Sequence, residues 1–535
     1  MSPIARLSPP SQPRRIRRQP IRLRLAPLPL LVTACWGGAA GCQAQVAAPA
    51  VQPLVHLPTA PPPPVTASQP RLWVALAAHL GGPGELSLPS AQGQLHLSDG
   101  RGVAVQAAVV TLRWSRQALP APLLVRRLAL GPFASYESAE ALAERWRAEG
   151  ASPVVARPRD WEVWAPVGSP ALPGETARLV EQRHTHGWIP LLSTTAGARP
   201  LQGPVRIEAP AGLRWAGGVF AGPFRLQPDA HGGWTLLEQV PVERYLLGVV
   251  PHEIGPGAPP AALAAQAVLA RTWALRNQHR FAVDGYHLCA DTQCQVYADP
   301  RQAGPAVGRA VAVTAGRVLA WQGQPIHAVY HATNGGVSAA FEEVWSGSPL
   351  PYLRPALDGP SPRLTSLGLT LPLDASGLSR LLGSAQASHG ADHPRFRWHR
   401  LLDGVALTTA ARAADPRFGQ VSRVNVLERG PSGRVLALEL TGSSRDDAAR
   451  TSQVVLRRDA IRRSLRQLPS TLFLVKPAGP GLWRFEGGGF GHGAGLSQAG
   501  AIDLARQGWS LERILAHYYP DTQLLPLSAL AGRTP

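Results

Sequence analysis

A chain of 535 residues can bury a sizeable core in two or three domains, and its formal charge of +19 comes almost entirely from arginine, Lys476 being the single lysine. That excess suits a solvated basic surface, or attraction to an anionic polymer or membrane. With no RNA-binding motif and no zinc-finger spacing beside it, nucleic acid is not an expected partner.

Residues 1–45 have the layout of a signal peptide or lipoprotein signal: an arginine-rich stretch at 14–24, then the apolar run Leu25–Ala34, too short to span a bilayer comfortably. Val32-Thr33-Ala34-Cys35 resembles a bacterial lipoprotein box, which would put a lipid on Cys35. Gly41-Cys42 is a weaker second site, and ordinary cleavage near residues 44–48 is the alternative. The expectation is export to the periplasm or cell envelope, touching a membrane only through this signal or its lipid. Residues 46–70, with prolines at 61–64, read as an extended linker.

Arg71–Ala78 predicts a first strand, and Glu85–Asp99 and Gly102–Trp114 add alternating segments with a turn at Asp99-Gly100. Residues 71–119 thus begin a core that resumes at 174 and runs to 530. Between them, 120–173 breaks the pattern. It holds the apolar run Leu123–Ala129, a helix over Ser138–Glu149 with a serine cap and Gly150 behind it, and short strands at Val154–Arg157 and Trp161–Pro166. Strand, helix, strand, strand resembles a SPOR-like module, half of the usual ferredoxin-like unit. SPOR domains bind peptidoglycan strands lacking stem peptides; the alternative is a structural insertion with no ligand.

Short Gly- and aromatic-rich strands from Pro204 to Val240 lead into Pro241–Tyr297, the stretch on which the chain is organised. There the apolar run Tyr245–Val250 ends at Pro251-His252-Glu253, a Gly/Pro elbow spans Gly255–Pro260, and an alanine-rich helix is expected over Ala261–Gln278. Leu263, Ala267, Ala270 and Ala274 put a stripe of small residues on that helix, suited to close packing. Beyond it, strands and loops alternate through Val318–Trp321 and Ile326–His331. The region Leu364–Phe418 is less patterned, with one short helix. Arg423–Gly430 and Arg434–Gly442 read as a hairpin, Asp459–Leu468 as a helix, Phe485–Gly495 as a glycine-rich loop, and Ser497–Gln507 and Ser510–Tyr518 as helices. The expected fold is mixed α+β: a β-rich core with a helix-bearing cleft and a small inserted α/β module.

Three patches in order resemble the stage II sporulation protein D family of cell-wall lytic transglycosylases, which also includes amidase-enhancer proteins. They are VPVERYLLGVVPHE with AAQAVLARTWALRN, CQVYADP followed by YHATNGGVSAAFEEVWSG, and LPSTLF with GGGFGHGAGLSQAGAIDLARQGWSLERILAHYYPDTQL. The resemblance runs from about Leu72 to Leu524. It implies cleavage of the glycosidic bond of peptidoglycan strands, with Glu253 in the catalytic position. Substrate contacts would fall on Gln266, Arg271, Tyr297, Asn334, His492, Ser497 and Gln498. The partners would be glycan strands and an amidase, and the rival reading is a non-catalytic wall-binding protein that enhances an amidase.

Breaking a glycosidic bond needs a proton on the leaving oxygen and support for an oxocarbenium-like centre, and ordinary glycosidases use two carboxylates for this. None accompanies Glu253 in sequence; Glu243 and Asp284 are the nearest. A lytic transglycosylase manages without one, because the C6 hydroxyl of N-acetylmuramic acid attacks its own C1 and leaves a 1,6-anhydro end. One carboxyl group then serves as acid and afterwards as base. Val249, Val250 and Ile254 would raise its pKa by desolvation, while the positive end of the following helix would oppose this. Without the family resemblance, a helix-cap or ion-pair role for Glu253 is the plainer reading.

His287, Cys289 and Cys294 lie within eight residues and offer ligands for one structural zinc, with His331 or His327 as a fourth. Gln293 stands where relatives carry histidine, which puts the ligand set in doubt. The alternative is a Cys289–Cys294 disulfide, which suits an exported protein. The glycine-dense loop Gly487–Ser497 lacks the lysine and hydroxyl ending of a phosphate loop. Tyr330 and Trp345 are candidates for stacking on sugar rings or for the core.

Overall fold

The computed structural model describes residues 53–194, 197–384, 387–447 and 449–530. The expected signal at 1–45, with Cys35, lies outside the described residues.

The expected first strand forms as β1 (Arg71–Leu80), second from one edge of a seven-stranded sheet. Its neighbours are Trp234–Pro241, antiparallel, and the two-residue strand Leu288–Cys289, parallel. The sheet continues through Phe224–Pro228, Val205–Glu208, β3 (Leu95–Ser98) and β4 (Ala104–Ala107), with β2 (Glu85–Pro89) pairing elsewhere. Buried Leu72, Val74, Leu95, Leu97, Val205 and Ile207 form its inner face. Against that core pack α2 (Val242–Glu253) and α3 (Pro260–Arg276), the helix α1 (Tyr136–Ala148) belonging to the insertion below. The apolar run before Glu253 is therefore a helix. Gly248 is required where α2 passes the loop after Cys294, since a Cβ there would sit 2.4 Å from the Ala298 carbonyl oxygen. α3 starts on Pro259-Pro260, where a missing N–H costs nothing, and is buried on every face from Ala262 to Leu275. Its alanines permit that close approach on all sides, beyond the single stripe expected.

The segment 120–173 contains the expected strand, helix, strand and strand, but its first strand begins earlier. β5 (Val109–Phe133) crosses the expected boundary at 119/120 and pairs with β2, β7 (Trp161–Pro166) and β8 (Arg178–Thr194). α1 (Tyr136–Ala148) is capped by Ser135 rather than Ser138: the Ser135 Oγ accepts the Ser138 N–H at 3.3 Å. Ala139, Leu142, Ala143 and Trp146 turn inward from α1 onto β7 and β6 (Val154–Ala156). They share one apolar cluster with Trp73, Ala75, Leu237, Phe281, Tyr286 and Cys289 of the main sheet and its flank. The insertion is built into the outer face of the sheet.

Farther along, the expected hairpin gains a third strand, giving Phe418–Arg429, Val435–Ser444 and Thr451–Arg457. The weakly patterned region yields the helix Ala375–Gly383, the strand Arg397–Asp403 and the helix Gly404–Ala414. A second core gathers Trp398, Leu407, Phe418, Leu438, Ile461, Phe473 and Phe485. The short helix Asp459–Ser464 lies at its edge, and the glycine-rich loop leaves the strand Leu482–Gly488 and meets Thr333.

Candidate active site

Glu253 is the last residue of α2, after the buried Val249 and Val250 and before the buried Ile254. Its Oε1 accepts the Val296 N–H at 3.0 Å, and the Tyr330 phenol also donates to it. Burial pushes the carboxyl above the usual range, and these two donors only partly offset it. The expected opposition from a helix N-terminus gives way to a different placement. Glu253 sits at the C-terminal, negative end of α2, which also disfavours the ionised form.

Two cavities meet at this residue. One, of about 540 Å³, is lined by Glu253 with Cys294, Tyr330, Trp345, Arg462 and His492. The other, of about 580 Å³, is lined by Glu253 with His393, Gln498, Ile502, Asp503 and Arg506. His492 stands in the wall of the first. Its Nδ1 accepts the Ala494 N–H at 3.2 Å, so the proton is on Nε2, which donates to the Tyr330 carbonyl at 2.9 Å. Burial lowers its pKa to about 3, and the ring stays neutral. Trp345 packs on it at 4.9 Å between ring centroids.

The fold brings other carboxyl groups into the first cavity that sequence proximity did not show. The Glu343 Oε1 accepts from the Ser432 N–H at 2.8 Å and its hydroxyl at 2.7 Å, and Oε2 accepts the Ala340 N–H at 2.7 Å. Glu137 is paired with Arg280. The Asp459 Oδ2 accepts from the hydroxyls of Ser135 at 2.5 Å and Ser138 at 3.2 Å, and burial pushes its pKa up to about 6.

The expected substrate contacts divide. His492 and Gln498 line the two cavities beside Glu253. Gln266 sits behind them on α3, its Oε1 accepting from the Gln498 Nε2 at 3.2 Å, with its own Nε2 unpartnered. The rest are engaged inside the protein. Arg271 forks onto Glu243 of α2, with Nε to Oε1 at 2.8 Å and Nη2 to Oε2 at 2.5 Å. The Tyr297 hydroxyl donates to Glu238 at 2.8 Å. The Asn334 Nδ2 donates to the Asp358 Oδ2 at 2.6 Å, and its Oδ1 accepts the Gly336 N–H. Ser497 caps the helix Gln498–Arg506 through Gly500.

The three zinc candidates do not fit a zinc ion in this arrangement. Cys289 and Cys294 form a disulfide. The His287 Nδ1 accepts the Trp73 N–H at 2.7 Å and Nε2 faces the Pro63 carbonyl at 3.0 Å, which occupies both ring nitrogens. Among the described residues, no group of three or more His, Cys, Asp or Glu is placed to hold a metal. The disulfide instead closes the loop that carries Val296 to Glu253. Gln293 in that loop accepts the Trp161 indole N–H of the insertion at 3.2 Å.

Of Tyr330 and Trp345, candidates for stacking on sugar rings or for the core, Trp345 is buried in the core at the cavity wall and the Tyr330 phenol donates to the Glu253 carboxyl. Ser135, Tyr136, Asp459 and Arg462, which also line the first cavity, were not singled out. The one signal for Asp459 and Arg462 was the density of arginine in RRDAIRRSLR, residues 457–466.

A family model described as stage II sporulation protein matches residues 230–321, and one described as a domain of unknown function matches 339–495. The chain is 29% identical over 293 residues to the amidase enhancer of Bacillus subtilis (strain 168), an overlap of 52% of this chain and 40% of that protein. It is 26% identical over 313 residues to the stage II sporulation protein D of the same strain, covering 56% of this chain and 78% of the relative. To the stage II sporulation protein D of Bacillus amyloliquefaciens it is 30% identical over 299 residues, covering 53% and 74%. The chain thus spans well under half of the amidase enhancer. Glu253 falls in the first matched region, and Trp345, Arg462 and His492 fall in the second.

Proposed function

The chain belongs to the family of stage II sporulation protein D and the amidase enhancer, and from that premise we propose that it is a peptidoglycan lytic transglycosylase. One observation carries the reading: a desolvated carboxyl, held by Val296 and Tyr330, lies where two cavities meet. In the proposed reaction Glu253 gives its proton to the oxygen leaving C1 of N-acetylmuramic acid. The C6 hydroxyl bonds to C1, and its proton passes to Glu253, which ends as it began. Burial supports the first half, because it keeps a share of the carboxyl protonated. The neutral, fixed His492 orients Tyr330 through its carbonyl and leaves acid–base work to Glu253. The strands acted on are those already stripped of stem peptides.

The test is release of 1,6-anhydro-muramyl ends from such strands. Wild-type protein should yield them, and Glu253→Gln should lose about 10²–10⁴ in rate while retaining binding. Reducing ends alone would mean hydrolysis. Binding without cleavage by the wild type, together with stimulation of an amidase, would favour the role for which the Bacillus subtilis amidase enhancer is named. Export would bring the protein to this polymer. The basic, short apolar start and Cys35 motivate a lipid anchor: fatty-acid label should enter the protein and be lost in Cys35→Ser, and label that persists would exclude that cysteine.

A further inference from the structure

Resting on the transglycosylase reading, we propose that the cavity on the Trp345 side of Glu253 is a subsite for a free sugar carboxylate, and that Arg462 is the residue that takes it. The wall there is rich in arginine, but most of the guanidinium groups are engaged. Arg280 pairs with Glu137 and donates to the Gln293 carbonyl at 2.8 Å. Arg463 pairs with Asp160. The Arg458 Nε donates to the Glu342 carbonyl at 2.8 Å. Arg462, on the helix Asp459–Ser464, lines the cavity and makes no hydrogen bond among the described residues, and its Nε is buried without a partner. Burial weakens its hold on its proton, the mark of a cation short of compensation.

The carboxylates that would satisfy it are otherwise held. Glu343 is taken by Ser432 and Ala340, Glu137 by Arg280, and Asp459 attracts Arg462 while receiving its own hydrogen bonds from Ser135 and Ser138. A planar fork left without a partner in a cavity wall matches a carboxylate. The neighbouring surface narrows the ligand to a sugar acid. Glu253, the proposed glycan acid, lines the same cavity, whose wall is closed by Trp345, buried against Phe341 and His492. In the proposed substrate the lactyl carboxylate of N-acetylmuramic acid is such a group. It is an uncharged amide while a stem peptide is attached and an anion once the peptide is gone. Arg462 would read that difference beside the acid, and the insertion shapes the same wall through Ser135 and Tyr136.

The experiment measures binding in the Glu253→Gln chain, where no turnover confuses the reading. Soluble glycan fragments from amidase-treated wall are compared with the same fragments after their carboxylates are converted to methylamides. The free-carboxylate fragments should bind roughly 10- to 100-fold tighter, the size of a charge-assisted hydrogen bond. Arg462→Gln should abolish that preference, and Arg462→Lys should keep part of it with a matching melting temperature. Equal binding of both fragments, binding of neither, or a preference that survives Arg462→Gln would overturn the proposal. The two readings fail separately. Wild-type cleavage of both fragment sets at equal kcat/KM would leave the transglycosylase and remove the subsite. A carboxylate preference that depends on Arg462, without any 1,6-anhydro product, would do the reverse.

Discussion

At Glu253 the needs of chemistry and of folding conflict. The folded carboxyl holds its proton more tightly than the unfolded one, whose pKa is near 4.3. A group of this kind favours the folded state at acid pH, and that contribution is lost as pH rises through the folded pKa. Above it, the ionised side chain costs stability. The Glu253→Gln protein should therefore melt higher than the wild type at about pH 8, with the gap closing toward about pH 4. Differential scanning at both values checks this, and an equal melting temperature at the higher one would mean that the carboxylate is better solvated than its burial suggests. The desolvated placement of Glu253 was legible in the sequence, because a carboxyl just past an apolar run stands out, while its role as acid was implied only by the family resemblance. Arg271 and Tyr297 were not legible in the same way. Each lies in the motif but is held by a carboxylate far away in the chain, Glu243 at a separation of 28 residues and Glu238 at 59. A list of polar residues does not tell which are already engaged.

Among the elements, the disulfide loop links covalent chemistry to the acid. Cys289 closes the strand next to β1, Cys294 lines the cavity, and two residues later the Val296 N–H meets Glu253. A short closed loop of this kind is worth about 2 kcal/mol. Cys289→Ser should lower the melting temperature and reduce kcat more than KM, since substrate surfaces remain while the acid loses its fixed donor. Elemental analysis of the wild type should find no stoichiometric zinc; one zinc per chain with free thiols would reverse the assignment. Here the sequence reading left disulfide and zinc open, because spacing alone serves both. The elements of the insertion were readable from local signals such as Gly150 and the run Trp161–Pro166. The length of β5 was not, since strand pairing with β2 and β8 is a non-local fact that periodicity does not record.

For the whole molecule, the insertion and the two matched regions meet around one cleft. Glu137 of α1 forms a buried pair with Arg280, and Asp160 and the serines at the start of α1 reach Arg463 and Asp459. Breaking a buried pair by removing one partner leaves an uncompensated charge, typically a cost of about 3–5 kcal/mol. Glu137→Ala should lose stability on that scale in denaturant unfolding and should weaken glycan binding as well, because Glu137 stands in the cavity wall. A loss within experimental error would mean that Arg280 finds another partner.

The acid between two cavities also bears on what happens to a long polymer. With sugar-sized room on both sides of Glu253, a strand can lie across the cleft without presenting a terminus. Under the proposed activity each cut would land at an interior linkage, and a single event would divide one long molecule into two of intermediate length. The viscosity of a strand solution should therefore collapse while disaccharides are still scarce, the time course of a cutter and not of a trimmer.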